Sequence, residues 1–397
     1  MLSQVLEFSP ERSPQILEQI PASSAVFVIR SDPGSEPYVG KSSNLKRRLA
    51  RLLGEPEEHS KRLNLRDRCR AIEYELTGSD FESWFLLYRV LRSEFPSRYR
   101  EKIKLRLASL IKLNLENPYP RAYLTRRISN LRSPSLYFGP FPSRVAAERF
   151  MNDSLDFFKI RRCDFELNPD PSFPGCIYSE MKMCLAPCFK GCTGEEYVRE
   201  VDRVRAYLET SGRSLVREIS DHRDRASEEL KFEDAAALHT RIEKVEALLG
   251  TTSLPELARP ISQLTGVVVQ RSHQQNCVAL FRIDHGFISG PIIFGIEPKA
   301  DERNKSMESR IAEALGSEAQ APRSAAELNE HIAILRRWYY RGRRTGEIFL
   351  CDQKGELPLR RIVRGIGRVY RGEQPDTTTK AQSAGSALAD KAVEPRS

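Results

Sequence analysis

The chain has 397 residues, and its 63 lysines and arginines against 54 aspartates and glutamates give a net charge of +9. This length is enough for roughly two to four domains, and 40% hydrophobic residues exclude a wholly disordered chain. No apolar run reaches the ~20 residues of a membrane-spanning helix, and the first residues lack the basic-then-apolar order of a secretory signal. We therefore expect a cytoplasmic protein without membrane association, and its positive charge favours a polyanionic partner.

The first part of the chain alternates strand and helix patterns. Apolar runs at residues 25–31, 37–41 and 71–77 predict three strands. Leucines at helical spacing predict helices over residues 42–53 and 81–92, and serine and asparagine caps open the first of these helices. This order of elements predicts an α/β unit.

The middle of the chain is first basic, then rich in cysteine, then helical. Residues 98–132 carry many lysines and arginines. Residues 137–143 contain two prolines and a glycine, which predict a turn before a helix at 144–158. Residues 195–249 predict a pair of helices, and residues 251–260 a linker.

The last third of the chain predicts a small α+β unit. Three apolar runs predict the strands of an antiparallel meander, at residues 265–272, 276–284 and 289–296. A helix at residues 324–342 and a strand at 347–352 follow. The final residues lack aromatic side chains and apolar periodicity, which predicts a disordered tail.

The motif Tyr-Val-Gly-Lys at residues 38–41, followed by a basic run at residues 44–48, resembles a GIY-YIG nuclease. More narrowly, it resembles the N-terminal domain of the UvrC-type excinuclease subunit of bacterial nucleotide excision repair. Three further motifs follow in that family's order: four cysteines, a UVR helix at residues 230–248, and a sub-domain like the one before the family's C-terminal nuclease. The resemblance covers roughly residues 20–370.

The resemblance implies an α/β multidomain chain with five segments. These are a GIY-YIG-like α/β sandwich, a basic linker with a loop-rich cysteine region, a helical region with the UVR hairpin, a small C-terminal α+β domain and a disordered tail, at residues 20–102, 103–193, 194–250, 260–372 and 373–397. We expect the chain to lack the RNase H-like nuclease and the helix-hairpin-helix pair that finish a full-length subunit. We therefore expect an N-terminal-half paralogue.

The resemblance assigns three residues to a site that would hydrolyse a phosphodiester. Tyr38 matches a tyrosine that acts as general base towards water, whereas Lys41 and Arg48 match residues that hold the phosphate, and we expect both to face one cleft. The family's first tyrosine, a later tyrosine and the metal-binding glutamate are replaced here by Phe27, Leu52 and Leu87. A leucine cannot bind Mg²⁺ or Mn²⁺, which prefer oxygen ligands.

Two functional interpretations therefore stay open. The chain is either a UvrC-like repair protein that binds DNA and a UvrB-type helicase and incises the damaged strand with Mg²⁺ or Mn²⁺, or a non-cleaving accessory or regulatory factor with a degenerate nuclease site. A general nucleic-acid-binding factor outside repair is a third interpretation.

Four cysteines lie close together in sequence at positions 163, 176, 184 and 188. In a reducing cytoplasm, clustered thiolates favour a metal site over disulfides. The irregular spacing of Cys163, Cys176, Cys184 and Cys188 argues against a zinc ribbon, and the resemblance implies a 4Fe–4S cluster, with zinc as the alternative. Cys192 is a fifth thiol nearby. The group would be structural, since it would pin a segment with little apolar core.

The UVR segment carries an apolar stripe at helical spacing, formed by Phe232, Ala235, Ala236, Leu238 and Ile242. Such a stripe by default packs within its own chain. The resemblance implies instead that it pairs with a helix of a UvrB-type helicase, with Phe232 as the anchor.

Basic residues in the first half of the chain predict a DNA-binding surface, formed by Arg47, Lys102, Lys104, Lys112, Arg121, Arg126 and Arg127. Tyr119 and Tyr123 lie among them. A second basic cluster surrounds the aromatic run at residues 338–340, and consists of Arg336, Arg337, Arg341, Arg343 and Arg344. That cluster either contacts DNA or only decorates a helix end.

Overall fold

The computed structural model describes residues 2–55, 62–250, 255–298, 300–316 and 324–373. It is a mixed α/β structure in which three four-stranded sheets, all antiparallel, organise the chain. The predicted tail at residues 373–397 lies, apart from Glu373, outside the described residues.

The N-terminal unit is built on a sheet of order β1-β4-β2-β3. Its strands are β1 Gln4–Glu7, β2 Ala25–Arg30, β3 Tyr38–Ser42 and β4 Ala71–Leu76, and its helices are α1 Ser13–Gln19, α2 Leu45–Leu53, α3 Asp80–Glu94 and α4 Tyr99–Ile103. The Asn44 side chain accepts the Arg47 N–H and so caps α2. This helix begins later than predicted because Ser42 still belongs to β3.

The middle unit has a sheet of order β6-β5-β7-β8, with β5 Ser109–Asn114, β6 Arg121–Thr125, β7 Leu136–Phe141 and β8 Arg259–Pro260. Its helices are α5 Arg144–Leu155, α6 Ile177–Glu180, α7 Gly194–Glu209, α8 Arg213–Glu228 and α9 Phe232–Leu249. The turn predicted at residues 137–143 was wrong, because six buried residues here form β7. The burial of Phe138 and Phe141 in the apolar core of this unit outweighs the preference of glycine and proline for turns.

The helical pair predicted over residues 195–249 is three helices. Gly212 lies in the turn between α7 and α8 with φ +84°, a backbone conformation that favours glycine, and a Cβ there would also meet the Leu249 side chain. The second helix stops before Leu230, which adopts φ +57°. The predicted linker is also partly structured, since Leu257 and Ala258 are buried in two different apolar clusters.

The C-terminal unit has a sheet of order β11-β10-β9-β12, as the predicted meander requires for its first three strands. The strands are β9 Gly266–Arg271, β10 Cys277–Asp284, β11 Phe287–Gly295 and β12 Glu347–Leu350, and the helices are α10 Met307–Leu315, α11 Ala325–Tyr339 and α12 Leu359–Arg371. Helix α12 was not predicted from the sequence.

Helix α3 packs against the C-terminal unit as well as its own sheet. One apolar cluster joins Phe81 and Phe85 of α3 to Phe281 of β10, with ring centroids of Phe81 and Phe281 4.9 Å apart. Gly78, just before α3, touches the β9–β10 turn so closely that a Cβ would lie 2.2 Å from the Arg271 carbonyl oxygen. The two units therefore share a core and interlock at their backbones.

Candidate functional site

Tyr38 and Arg48 meet on one face of the N-terminal sheet. Strand β3 pairs Tyr38 with Ile29, and α2 brings Arg48 across this face. The Arg48 Nη2 group donates to Tyr38 Oη at 2.7 Å, and the Phe27 ring lies 6.1 Å from the Tyr38 ring. This pair orients a phenol oxygen beside a cation that suits a phosphate.

Lys41 lies on the opposite face of the same strand. Side chains alternate along a strand, so residues three apart point in opposite directions. Lys41 pairs in register with Val26, which belongs to the cluster around α3. Its Nζ lies 2.5 Å from Asp80 Oδ1 and 4.8 Å from the centre of the Trp84 ring. The single cleft expected for Lys41 and Arg48 is therefore not formed.

The three replaced positions are all buried in apolar surroundings. Phe27 and Leu52 lie in the cluster between the N-terminal sheet and α2. Leu87 is 9% exposed and lies in the cluster that joins α3 to the C-terminal unit. A carboxylate at position 87 would therefore enter an apolar junction, at a desolvation cost of several kcal/mol.

Glu82 is a buried carboxyl on α3 whose oxygen accepts the Gly78 N–H at 2.8 Å. Burial raises the pKa of Glu82 to about 7; the Gly78 hydrogen bond opposes the shift, and the nearby Glu75 charge adds to it. This group faces away from Tyr38, on the side of the β9–β10 turn that also carries His273.

The four predicted thiols all lie in the loop-rich segment between α5 and α7. Burial raises the pKa of Cys184 to about 11, the Ala186 N–H lowers it, and the neighbouring charges of Cys163, Cys188 and Cys176 raise it further. The Ala186 N–H donates to Cys184 Sγ at 3.3 Å. Burial also raises the pKa of Cys188 and of Cys192.

By their chemical type, four thiol donors suit zinc or an iron–sulfur cluster. Across the residues that the structure describes, however, no three His, Cys, Asp or Glu side chains stand close enough together to hold a metal ion. Binding would have to draw the loops inward, as metal-coupled folding does.

Arg161 is a functional candidate that sequence reasoning missed. It is 2% exposed, and its Nη1 lies 3.8 Å from Cys163 Sγ while donating to the Phe165 carbonyl oxygen at 2.9 Å. The buried cation therefore stands beside the predicted thiol ligands. The sequence signal was an arginine pair immediately before Cys163.

The predicted partner stripe divides between solvent and the protein interior. Phe232 is 65% exposed, and Ala236 is exposed as well. Ala235 and Leu238 are half-buried, whereas Ile242 is buried against the middle unit. The N-terminal end of α9 is therefore free to meet a partner, while its C-terminal half is anchored.

The predicted DNA-binding residues are mostly accessible. Arg47, Lys102, Lys104, Arg126 and Arg127 are exposed, and Arg121 is half-buried with its guanidinium 4.9 Å from the centre of the Tyr123 ring. Lys112 is the exception: it is 7% exposed, because it lies on an inner face of β5 against Tyr137.

A model of the UvrC/Cho excinuclease middle domain matches residues 109–207, which form β5 to α7 here. The UvrABC system protein C of Syntrophus aciditrophicus is 26% identical over 359 residues, covering 89% of this chain and 56% of that protein. The Bdellovibrio bacteriovorus protein of the same name is 29% identical over 243 residues, covering 59% of this chain and 37% of that protein. The Porphyromonas gingivalis protein of this name is 26% identical over 336 residues, covering 84% of this chain and 54% of that protein.

The chain spans about half the length of these curated relatives. No solved structure matches it. Within the described residues, no helix combines the length and the apolar character needed to cross a membrane. Over most of its length the chain is therefore similar to the UvrC-type excinuclease subunit, and its residues 109–207 match the middle domain of that family.

Proposed function

We propose that the protein is a UvrC-like nucleotide excision repair factor in the cytoplasm that binds DNA and a UvrB-type helicase and does not itself cut. The observation that carries this proposal is the position of Leu87 within the apolar junction between α3 and the C-terminal unit. The metal-binding carboxylate of an active GIY-YIG site would have to stand there. The separation of Lys41 from the Tyr38–Arg48 pair supports the same conclusion.

The middle unit supplies the cysteines for a structural group. Cys163, Cys176, Cys184 and Cys188 would hold a 4Fe–4S cluster, or zinc as the alternative, and such a group cross-links loops that lack a large apolar core. The Arg161 guanidinium lies 3.8 Å from Cys163 Sγ, and the Ala186 N–H donates to Cys184 Sγ, so each of these two thiols already has a polar neighbour.

The α8–α9 hairpin is the proposed contact with the helicase. Exposed Leu230 and Phe232 lie at the tip of the hairpin, where an apolar helix from a partner would cover them. The buried Ile242 fixes the hairpin to the middle unit, so that this tip is held outward.

An incising enzyme is the second candidate, and one observation favours it. Tyr38 and Arg48 keep a 2.7 Å hydrogen bond, which is the arrangement that a general base beside a phosphate-binding arginine requires. In this case the reaction would need Mg²⁺ or Mn²⁺ held by a group other than residue 87.

A nicking assay separates the two candidates. End-labelled damaged duplex is loaded with a UvrB-type helicase and incubated with the protein and Mg²⁺ or Mn²⁺, beside Tyr38→Phe and Leu87→Glu variants. We expect a slower-migrating DNA–helicase complex and no nick. A nick that disappears in Tyr38→Phe would instead establish the enzyme, and failure to join the DNA–helicase complex would refute the repair role altogether.

A further inference from the structure

The last turn of α11 lies over the Lys41 side of the N-terminal unit. The Arg337 guanidinium carbon lies 3.9 Å from the centre of the Trp84 ring, whose centre is also 4.8 Å from Lys41 Nζ. Arg341, just beyond the helix, pairs with Asp80. Two cations from different units of the fold therefore lie over one indole ring, and a third, Arg341, pairs with the carboxylate that also pairs with Lys41.

The charges at this place do not balance. Asp80 is the carboxylate that pairs with both Lys41 and Arg341. Arg337 is exposed, and the Arg341 side chain is 56% exposed, so these cations face solvent. Like charges held this close repel each other, and an anion from solution relieves that repulsion. The aromatic ring fixes the cations but does not neutralise them.

The same helix end also connects to the basic middle unit. Arg336 Nε donates to the Phe141 carbonyl oxygen at 3.0 Å. Burial lowers the pKa of Arg336, and the nearby charges of Arg126 and Arg106 lower it further. The end of α11 is thus the place where positive charge from all three units comes together.

We propose that Lys41, Arg337 and Arg341 form a composite site around Trp84 that binds the phosphodiester backbone of DNA. The site belongs to neither unit alone, because Lys41 and Trp84 come from the first and the arginines from the last. A guanidinium is suited to paired hydrogen bonds with phosphate oxygens, and Lys41 supplies a point charge beside it. This inference rests on the proposed DNA-binding function and names a surface that performs it.

The test measures DNA affinity against salt concentration. Fluorescence anisotropy of labelled single-stranded and duplex DNA is recorded for the full chain, Arg337→Gln, Arg341→Gln and the matched control Arg360→Gln, whose side chain is 91% exposed on α12. Each phosphate contact contributes about −0.9 to the slope of log affinity against log salt on duplex and about −0.7 on single strands. We expect each site variant to lose about one contact on the preferred DNA form and the control to lose none.

Intrinsic fluorescence gives a second readout, because Trp84 and Trp338 are the two tryptophans of the chain. DNA should change the emission of the full chain, and the change should vanish in Trp84→Phe. Unchanged slopes in both arginine variants, or an emission change that survives Trp84→Phe, would overturn the composite site while leaving DNA binding elsewhere intact. A full chain that binds neither form of DNA would overturn the proposed function as well.

Discussion

Glu330 of α11 accepts three hydrogen bonds from the N-terminal unit, and its removal is predicted to weaken the junction strongly. Tyr88 Oη donates at 2.9 Å, Tyr99 Oη at 2.8 Å and Arg100 Nε at 2.8 Å. Both tyrosines are buried, so Glu330→Ala leaves two buried hydroxyl donors without this acceptor, at about 1–3 kcal/mol each. The Arg100 side chain is 63% exposed, so its pair contributes under about 1 kcal/mol.

We therefore expect Glu330→Ala to lower the free energy of unfolding by about 3–5 kcal/mol. The free energy of unfolding is measured by urea titration monitored by circular dichroism. Glu330→Gln keeps one acceptor oxygen and should lose about 1–2 kcal/mol. Glu101→Ala removes an exposed carboxylate from α4 and should stay within about 0.5 kcal/mol of the parent. A Glu330→Ala protein as stable as the Glu101→Ala control would refute the role of this cluster.

Three further predictions address pH, metal and partner. The folded pKa of Glu82, about 7, lies above the unfolded value of 4.5, so the contribution of Glu82 to the free energy of unfolding is complete below pH 4.5 and is lost as the pH rises through 7. Urea unfolding between pH 5 and 8 should show this loss, roughly 3 kcal/mol, in the parent and not in Glu82→Gln. Cys184→Ser should abolish stable uptake of iron and sulfide or of zinc, measured as metal content and visible absorption after anaerobic reconstitution. Phe232→Ser should weaken binding to a UvrB-type helicase by about 30-fold in calorimetry without changing stability, because the side chain is mostly exposed.

Each of these predictions has a matched control. Glu101→Gln should leave the pH profile unchanged, and a Glu82→Gln profile as steep as the parent's would contradict the assigned titration. Cys277→Ser, in β10, should load metal normally, and normal loading of Cys184→Ser would show that this thiol is not a ligand. Val198→Ser changes an exposed apolar residue on α7, and an equal loss of affinity in both variants would show that Phe232 is no anchor.

Local patterns in the sequence predicted most of the strands and helices. The run at residues 25–31 and the first meander strand, β9, are buried on both faces, whereas β4, from the run at residues 71–77, alternates and buries only Ile72 and Tyr74, on one face. The Asn44 cap was also predicted, since a cap is a property of a few adjacent residues. Strand β7 was missed because burial on a sheet overrides the turn preference of glycine and proline.

The candidate site was predictable only in part. The meeting of Tyr38 with Arg48 follows the motif, but the position of Lys41 does not. Once residues 38–42 are assigned to a strand, the odd spacing between Tyr38 and Lys41 already places them on opposite faces. The approach of Arg337 to Trp84 joins distant parts of the chain, and no local pattern carries that information.

The pairing of β7 with β8 joins Phe138 to Pro260, across the whole cysteine region and the helices α7 to α9. During synthesis, β7 therefore stays unpaired on one edge until helices α7 to α9 have been made and β8 pairs with it. Leu257 and Ala258, just before β8, are buried in two different apolar clusters. A nascent protein consequently cannot complete its middle sheet before helices α7 to α9 have been synthesised, and until then one edge of β7 stays open to pairing with other strands.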